Sequence, residues 1–415
     1  MWFSSKSKLI TLPPECKRLI LLNALFQGGR LFVGAMCVLY FLSFELQMED
    51  YAWIKTTQAI VFIGLDIPLG YLLTRIGEYK SLLLSIAFGI IGALGYLLFT
   101  SFLGFLVSET FLALSLSTWP VALSAYSMRI LEGYKIEGLV EKFFHFGDAV
   151  SNLFIVVCGS LGGLLYAFNK YIPYGCFLVF YLFSTLFTLY YLKNFGVVKM
   201  ERKKETMKSV ISNIKEMKPI LPFASILFLA QFLMQPLFHY WQPLFKEKFA
   251  VGSEDMSIIF IGYSLAMSTI SWGYSRMTYF SNLRSNLFVV CAGLVGSLVY
   301  SLIARLDSFS FSLIFFALSF GIFNLVQIAG GVLIQNRLKQ ENRMIITKYV
   351  SFYSRIGMII SLIVLHSLFA NEWDISGIYK LYSGLAILTF CLYLAWMVIK
   401  KLSEKKDVYA FGPTN

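Results

Sequence analysis

The chain has 415 residues, of which 58% are hydrophobic and only 14% are charged, and its mean hydropathy is +0.70. This composition excludes a water-soluble globular protein and indicates a polytopic membrane protein. The formal net charge of +12 would fit a nucleic-acid-binding protein if the chain were soluble. Here it reflects basic loops that fix the membrane topology, so we expect no nucleic-acid partner.

Twelve apolar runs follow one another along the chain, each close to the ~20 residues that an α-helix needs to cross a bilayer. They lie at 18–43, 52–74, 81–100, 103–128, 144–167, 173–192, 220–244, 256–275, 286–304, 309–334, 348–369 and 378–399. The pattern predicts an all-α membrane protein with twelve transmembrane helices. The first run is too long for a cleaved signal peptide, so we expect a retained span.

The distribution of lysine and arginine predicts the topology. Most of the 35 basic residues fall on the two termini and on the loops that follow even-numbered spans. Because such residues stay on the cytoplasmic side, we expect both termini in the cytoplasm. We also expect a multi-pass protein of a bacterial-type inner (plasma) membrane.

One loop, residues 193–219, is long and basic, and it divides the chain into two six-helix bundles at 1–192 and 220–415. Apolar residues recur in it at helical spacing, namely Met207, Val210, Ile211, Ile214 and Met217. This spacing predicts an amphipathic helix on the cytoplasmic membrane surface. An ordinary domain linker is the alternative. The six-plus-six division is typical of a two-bundle transporter.

The first span carries a polar stripe, because Asn23, Gln27 and Arg30 fall at i, i+4 and i+7 on one helix face. An ionisable residue at the centre of a membrane helix costs at least ~2.5–3.5 kcal/mol, so Arg30 should face a cavity or a partner. Its guanidinium suits an anionic group, which it can hold by two hydrogen bonds. We predict that all three residues bind substrate.

Between the second and third spans, residues 70–80 form a short basic turn with no room for a soluble linker. This turn resembles the loop signature of the major facilitator superfamily. Four residues match the signature in order: Gly70, Arg75, Gly77 and Lys80. Thr74 stands where the family usually has Asp, and Glu78 and Tyr79 depart from its basic pair.

Further residues are similar to one exporter-like branch of that superfamily. Asp66-Ile-Pro68 before Gly70 resembles its prelude to the loop, and Glu109 resembles its acidic residue early in helix 4. The remaining similarities are the glycine-rich segment 159–163, the helix 7 ending at 239–243, and Arg343 before helix 11. The glycine-rich segment lacks the proline of the antiporter signature.

The resemblance implies two six-helix bundles that work by alternating access, with helices 1, 4, 7 and 10 lining a central cavity. It brings Glu109 near Arg30, and there Glu109 would take up and release the coupling proton. A static Arg30–Glu109 ion pair is the alternative. Asp66 is the second proton-coupling candidate, although it could instead pair with a basic residue of another helix. The predicted gate comprises Gly70, Arg75, Gly77, Lys80, Arg129 and Asp148.

Amides form a second candidate surface. Gln231 and Gln235 lie on one face of span 7 with His239 and Gln242, and span 10 offers Asn324 and Gln327. Uncharged amides and an aromatic lining suit a moderately polar organic solute, so we predict substrate binding by Gln231, Gln235, Asn324 and Gln327. Hydrogen bonds between neighbouring helices are the alternative.

No soluble-enzyme constellation is present. The six cysteines and three histidines form no ligand spacing, so no metal is predicted. The chain has no GxGxxG, P-loop, HExxH or GxSxG motif. We therefore predict no enzyme activity, no cofactor, and transport that does not use ATP.

The resulting prediction is a secondary active transporter of a small organic solute, operating by proton-coupled efflux as an antiporter. Only the exporter-like resemblance gives this direction. The alternatives are an uptake permease for a small organic anion, which Arg30 would suit, and a non-transporting membrane receptor or scaffold with the same fold. The predicted partners are the substrate, protons and the lipid bilayer, and the protein is predicted to be a monomer.

Overall fold

The computed structural model describes the backbone of residues 12–134, 139–192, 221–280, 286–337 and 343–410. The predicted surface helix in 193–219 lies outside the described residues. So do the side chains at 66–74, which include Asp66, Gly70 and Thr74, and the side chain of Arg343.

The described residues form fourteen α-helices and no strand. In chain order they are α1 Pro14–Leu31, α2 Cys37–Leu42, α3 Met48–Ile76, α4 Glu78–Leu98, α5 Phe102–Tyr134, α6 Leu139–Phe168, α7 Ile172–Tyr191, α8 Leu221–His239, α9 Trp241–Phe249, α10 Ser253–Phe280, α11 Asn286–Ile303, α12 Phe309–Arg337, α13 Arg343–Ala370 and α14 Ile375–Ala410.

Eight of these helices contain a stretch that is long and apolar enough to cross a membrane. They are α4, α5, α6, α7, α10, α12, α13 and α14, while the apolar parts of α8 and α11 are shorter. The all-helical membrane class is confirmed. The count of twelve crossings and the cytoplasmic termini remain predictions.

Two predicted spans are interrupted. The first run is divided into α1 and α2 by a turn at 32–36, next to Gly28, Gly29 and Gly34. The seventh run is divided into α8 and α9 at Tyr240. Pro236 lies four residues before that break, inside α8, where a proline removes one backbone hydrogen bond of the helix. The polar stripe predicted along this run therefore ends at His239.

The chain separates into two compact units. Unit 1 contains residues 1–46, 54–200 and 253–260, and in it α4 packs against α5 and α7, while α1 packs against α6 and α7. Unit 2 contains residues 47–53, 201–252 and 261–415, and in it α11 packs against α12 and α14, while α8 packs against α12 and α13. The beginning of α3 thus belongs to unit 2, and the beginning of α10 belongs to unit 1.

The glycines of α6 allow close helix packing in unit 1. A Cβ on Gly162 would collide with the backbone of Phe32, just beyond the end of α1. On Gly159 it would collide with the ring of Phe260, and on Gly163 with the side chain of Ser257. The glycine-rich segment therefore lets both the α1 end and the beginning of α10 approach α6.

Candidate functional site

A buried ion pair lies inside unit 1. Lys55 on α3 places its Nζ 2.7 Å from Oε1 of Glu109 on α5. Glu109 is 0% exposed and Lys55 is 7% exposed. The other oxygen of Glu109 accepts a hydrogen bond from the hydroxyl of Tyr96 on α4. Both oxygens of the carboxylate are therefore engaged by the protein.

Small residues on α4 bring Tyr96 to this carboxylate. A Cβ on Gly92 would lie 3.0 Å from the carbonyl oxygen of Ser108, one residue before Glu109 in α5. Such close approach of two helix backbones is the usual role of glycine in membrane helices. The hydroxyl of Tyr40 in turn donates to the backbone oxygen of Tyr96. Helices α4 and α5 and the segment that carries Tyr40 therefore meet around Glu109.

Arg30 lies in the same neighbourhood but has no such partner. It stands in the last turn of α1 and keeps part of its surface accessible. It lies within electrostatic range of Glu109 and Lys55. Within the described part of the chain, however, its guanidinium makes no hydrogen bond and no ion pair. Arg30 interacts electrostatically with Glu109, and the ion pair of Glu109 is with Lys55.

Sequence reasoning missed Lys55. Its partner is 54 residues away in the chain, and no local spacing relates the two positions. The position of Lys55 just inside the second apolar run indicated a buried partner, because an uncompensated ammonium would be costly there. A carboxylate in another span was therefore to be expected.

The remaining polar residues of α1 differ in their contacts. Asn23 uses both ends of its amide, donating to Ser151 at 2.9 Å and accepting from the indole of Trp119 at 2.9 Å. These contacts join α1 to α6 and α5. Gln27 is partly accessible, and its amide has no hydrogen bond within the described residues. Gln27 and Arg30 are three residues apart, so both remain available on one face.

The amides of unit 2 also fall into two groups. Asn324 donates to Ser271 at 3.1 Å, and Gln327 donates to the carbonyl of Leu227 at 3.4 Å, so both contact neighbouring helices. Gln235 donates to the carbonyl of Gln231 on its own helix. The Oε1 of Gln235 is buried without a hydrogen bond to any described residue, and the side chain of Gln231 is partly accessible.

One member of the predicted gate, Arg129, forms an ion pair. Arg129 at the end of α5 contacts Glu78 at the start of α4, with Nη1 and Oε2 3.0 Å apart. Glu78, which departs from the family signature, is thus the acid that Arg129 uses. Asp148, Arg75 and Lys80 are exposed.

Gly77 separates α3 from α4 with φ of 83°. This region of backbone conformation is readily adopted only by glycine. A Cβ would meet no neighbouring atom there, so backbone conformation alone requires this glycine.

A second contact lies near the same end of unit 1. The hydroxyl of Tyr134 donates to Oε2 of Glu15 at 2.5 Å. This hydrogen bond lowers the pKa of Glu15 and raises the pKa of Tyr134 to about 12. Both residues lie outside the predicted spans, and their contact joins the beginning of α1 to the end of α5.

The chain belongs to the major facilitator superfamily, whose sequence model matches residues 19–362. This match confirms the superfamily predicted from the turn at 70–80, whereas the exporter-like branch stays a prediction. Members of this family are generally transporters rather than enzymes, so transport of a small molecule through a bilayer is supported. No curated protein sequence matches the chain significantly.

Solved transporter structures share the fold. The nucleoside transporter NupG has a TM-score of 0.76 at 11% identity, covering 92% of this chain and 99% of that chain. The POT family transporter PepTSo has a TM-score of 0.71 at 11% identity, covering 94% and 99% of the two chains. A D-xylose–proton symporter has a TM-score of 0.65 at 13% identity, covering 91% and 95%. At such identities the likeness concerns the fold alone.

Proposed function

We propose that this protein is a secondary active transporter that moves a small organic solute by alternating access, coupled to protons. Export is the proposed direction, by antiport against protons, and it rests on the exporter-like residues around Asp66 and Pro68. The proposed location is a bacterial-type inner (plasma) membrane, and the proposed working unit is a monomer. Uptake is the alternative direction.

The Lys55–Glu109 pair is the observation that carries proton coupling. The buried carboxylate of Glu109 accepts hydrogen bonds from the ammonium of Lys55 and the phenol of Tyr96, so residues of two other helices hold both of its oxygens. When it takes up a proton, the ion pair with Lys55 is lost and the two helices that carry the pair become less tightly joined. Proton uptake thereby acts on helix contacts, which is what a coupled transporter requires.

The interrupted helices support a solute site. Spans 1 and 7 occupy the first position in each predicted six-helix bundle, and both are broken. Paired interruptions at corresponding positions of two halves are typical of substrate sites in transporters. Gln27 and Arg30 lie on the first broken span, and Gln231 and Gln235 lie on the second. We therefore propose these four residues as the principal substrate contacts. Asn23, Asn324 and Gln327 are proposed to support the site through their contacts with neighbouring helices.

We propose that residues 70–80 act as a gate with Arg129. Gly77 provides the turn, and the Glu78–Arg129 pair joins the beginning of α4 to the end of α5. Arg75 and Lys80 extend the basic surface of the same turn. We also propose that Asp148 and Asp66 belong to the charge network of this gate.

The test is solute flux into proteoliposomes that contain the full chain, driven by a pH gradient of either sign, across a broad panel of solutes. We expect flux above protein-free liposomes for one solute class, with the sign of the gradient reporting the direction. Arg30→Ala should reduce the flux at least tenfold, and Lys17→Met, on the exposed beginning of α1, should leave it unchanged. Equal flux with and without protein across the panel would contradict transport.

A further inference from the structure

Among the described residues around Glu109 in unit 1, the formal charges do not balance. Arg30 and Lys55 each bring a positive charge within electrostatic range of Glu109, which brings the one negative charge of this group. A charge held away from water is costly unless a partner compensates it. Glu109 compensates Lys55 by direct contact, and within the described residues no carboxylate contacts Arg30.

A ligand can supply the missing charge. Arg30 is partly accessible, and Gln27, one helical turn before it, carries an amide that makes no hydrogen bond to the described residues. A guanidinium binds an oxyanion by two parallel hydrogen bonds, and an amide N–H adds a third donor. The two side chains therefore match a carboxylate, sulfonate or phosphate group better than a neutral one.

We infer that the transported solute is an organic anion, that Arg30 holds its charged group, and that Lys55 becomes a second cationic contact when Glu109 takes up a proton. This inference rests on the proposed function, because it names the substrate class of the same transporter. It assigns Lys55 a role that changes during the cycle. In one state Lys55 neutralises Glu109, and in the other it neutralises part of the substrate.

The charge change follows from a single proton. Glu109 gains a proton from water at one carboxylate oxygen and becomes neutral, while the Lys55 ammonium and the Arg30 guanidinium keep their charges. The three side chains then carry two positive charges in place of one. The protonated state should therefore favour a dianion over a monoanion more strongly than the ionised state does.

The experiment measures binding of permanently charged probes to the purified full chain by the rise in its midpoint of thermal unfolding. The probes are methanesulfonate, a monoanion, ethanedisulfonate, a dianion, and dimethyl sulfone, which is neutral, all at matched ionic strength. We expect both anions, and not the sulfone, to stabilise the protein. Arg30→Gln should weaken anion binding about ten- to hundredfold, as expected for loss of charge-assisted hydrogen bonds.

A second set of variants isolates Lys55. Glu109→Gln imitates the protonated acid and should raise the ratio of dianion to monoanion affinity about tenfold. Lys55→Met/Glu109→Gln should remove that rise, and Lys17→Met is the matched control on an exposed lysine. If Glu109→Gln does not fold, the same ratio is followed in the unmodified protein as the pH falls. It should rise there and stay flat in the double variant.

Three results would overturn the inference: stabilisation by the sulfone equal to that by the anions, unchanged anion binding in Arg30→Gln, or a dianion-to-monoanion ratio in Lys55→Met/Glu109→Gln that is as high as in Glu109→Gln. Failure of this inference and failure of the proposed function give different results. Flux of a neutral solute without anion binding rejects the anion and keeps the transporter. Anion binding without flux of any solute rejects the transporter and keeps the site.

Discussion

Glu109 and Lys55 bring full charges into the interior of unit 1, where neither can be hydrated. The contact between them offsets part of the cost of removing both from water, and the Tyr96 hydroxyl satisfies the second carboxylate oxygen. Removing one partner leaves the other buried without compensation, whereas removing both charges avoids that cost. The difference in stability between the single and the double removal distinguishes a charged pair from two independent polar residues.

Lys55→Met should therefore lower the free energy of unfolding by about 3–5 kcal/mol, because Glu109 is left unpaired. Lys55→Met/Glu109→Gln should recover most of that loss. The measurement is chemical unfolding of the purified chain in detergent, with Lys17→Met as the control. Additive losses in the double variant would contradict the ion pair.

At the scale of the helix, the fold depends on a few positions where backbones approach closely. Gly162 on α6 faces the backbone of Phe32, and the collision of a Cβ there involves atoms that cannot rotate away. Gly175 on α7 offers a comparison, since a Cβ there meets no neighbouring atom. The two glycines have different surroundings although both lie within apolar helices.

Gly162→Ala should destabilise the protein by about 1–3 kcal/mol, because the α1–α6 contact must open to admit the methyl group. Gly175→Ala should be neutral or stabilising by up to ~1 kcal/mol, since alanine favours the helix. Thermal unfolding of both variants beside the unmodified chain measures the difference. Equal midpoints for the two variants would contradict this packing.

Hydropathy predicted the helical segments well, because the apolar length needed to cross a bilayer leaves a strong signal in each run. The breaks in spans 1 and 7 were not predicted, although Gly28 and Gly29 precede the first break and Pro236 precedes the second. The partners of the charged residues were harder to predict from the sequence than the helices were. Neither Lys55 with Glu109 nor Glu78 with Arg129 follows from local spacing, because packing between distant segments decides which charges meet.

Across the whole molecule, two helices connect the units. Residues 47–53 of the α3 region belong to unit 2 through contacts such as Trp53 Nε1 to His366 Nε2 at 3.0 Å, while Lys55 belongs to unit 1. Residues 253–260 of α10 belong to unit 1 in the same way. Lys55 therefore lies two residues after Trp53, the last residue of α3 that belongs to unit 2.

In the proposed mechanism, proton uptake at Glu109 drives solute movement. Its most direct test is proton movement, followed by a pH-sensitive dye trapped inside proteoliposomes, when a gradient of the transported solute is imposed without a pH gradient. We predict a change in internal pH that accompanies solute flux and disappears in Lys55→Met/Glu109→Gln. Solute flux without proton movement, or unchanged proton movement in that variant, would contradict it.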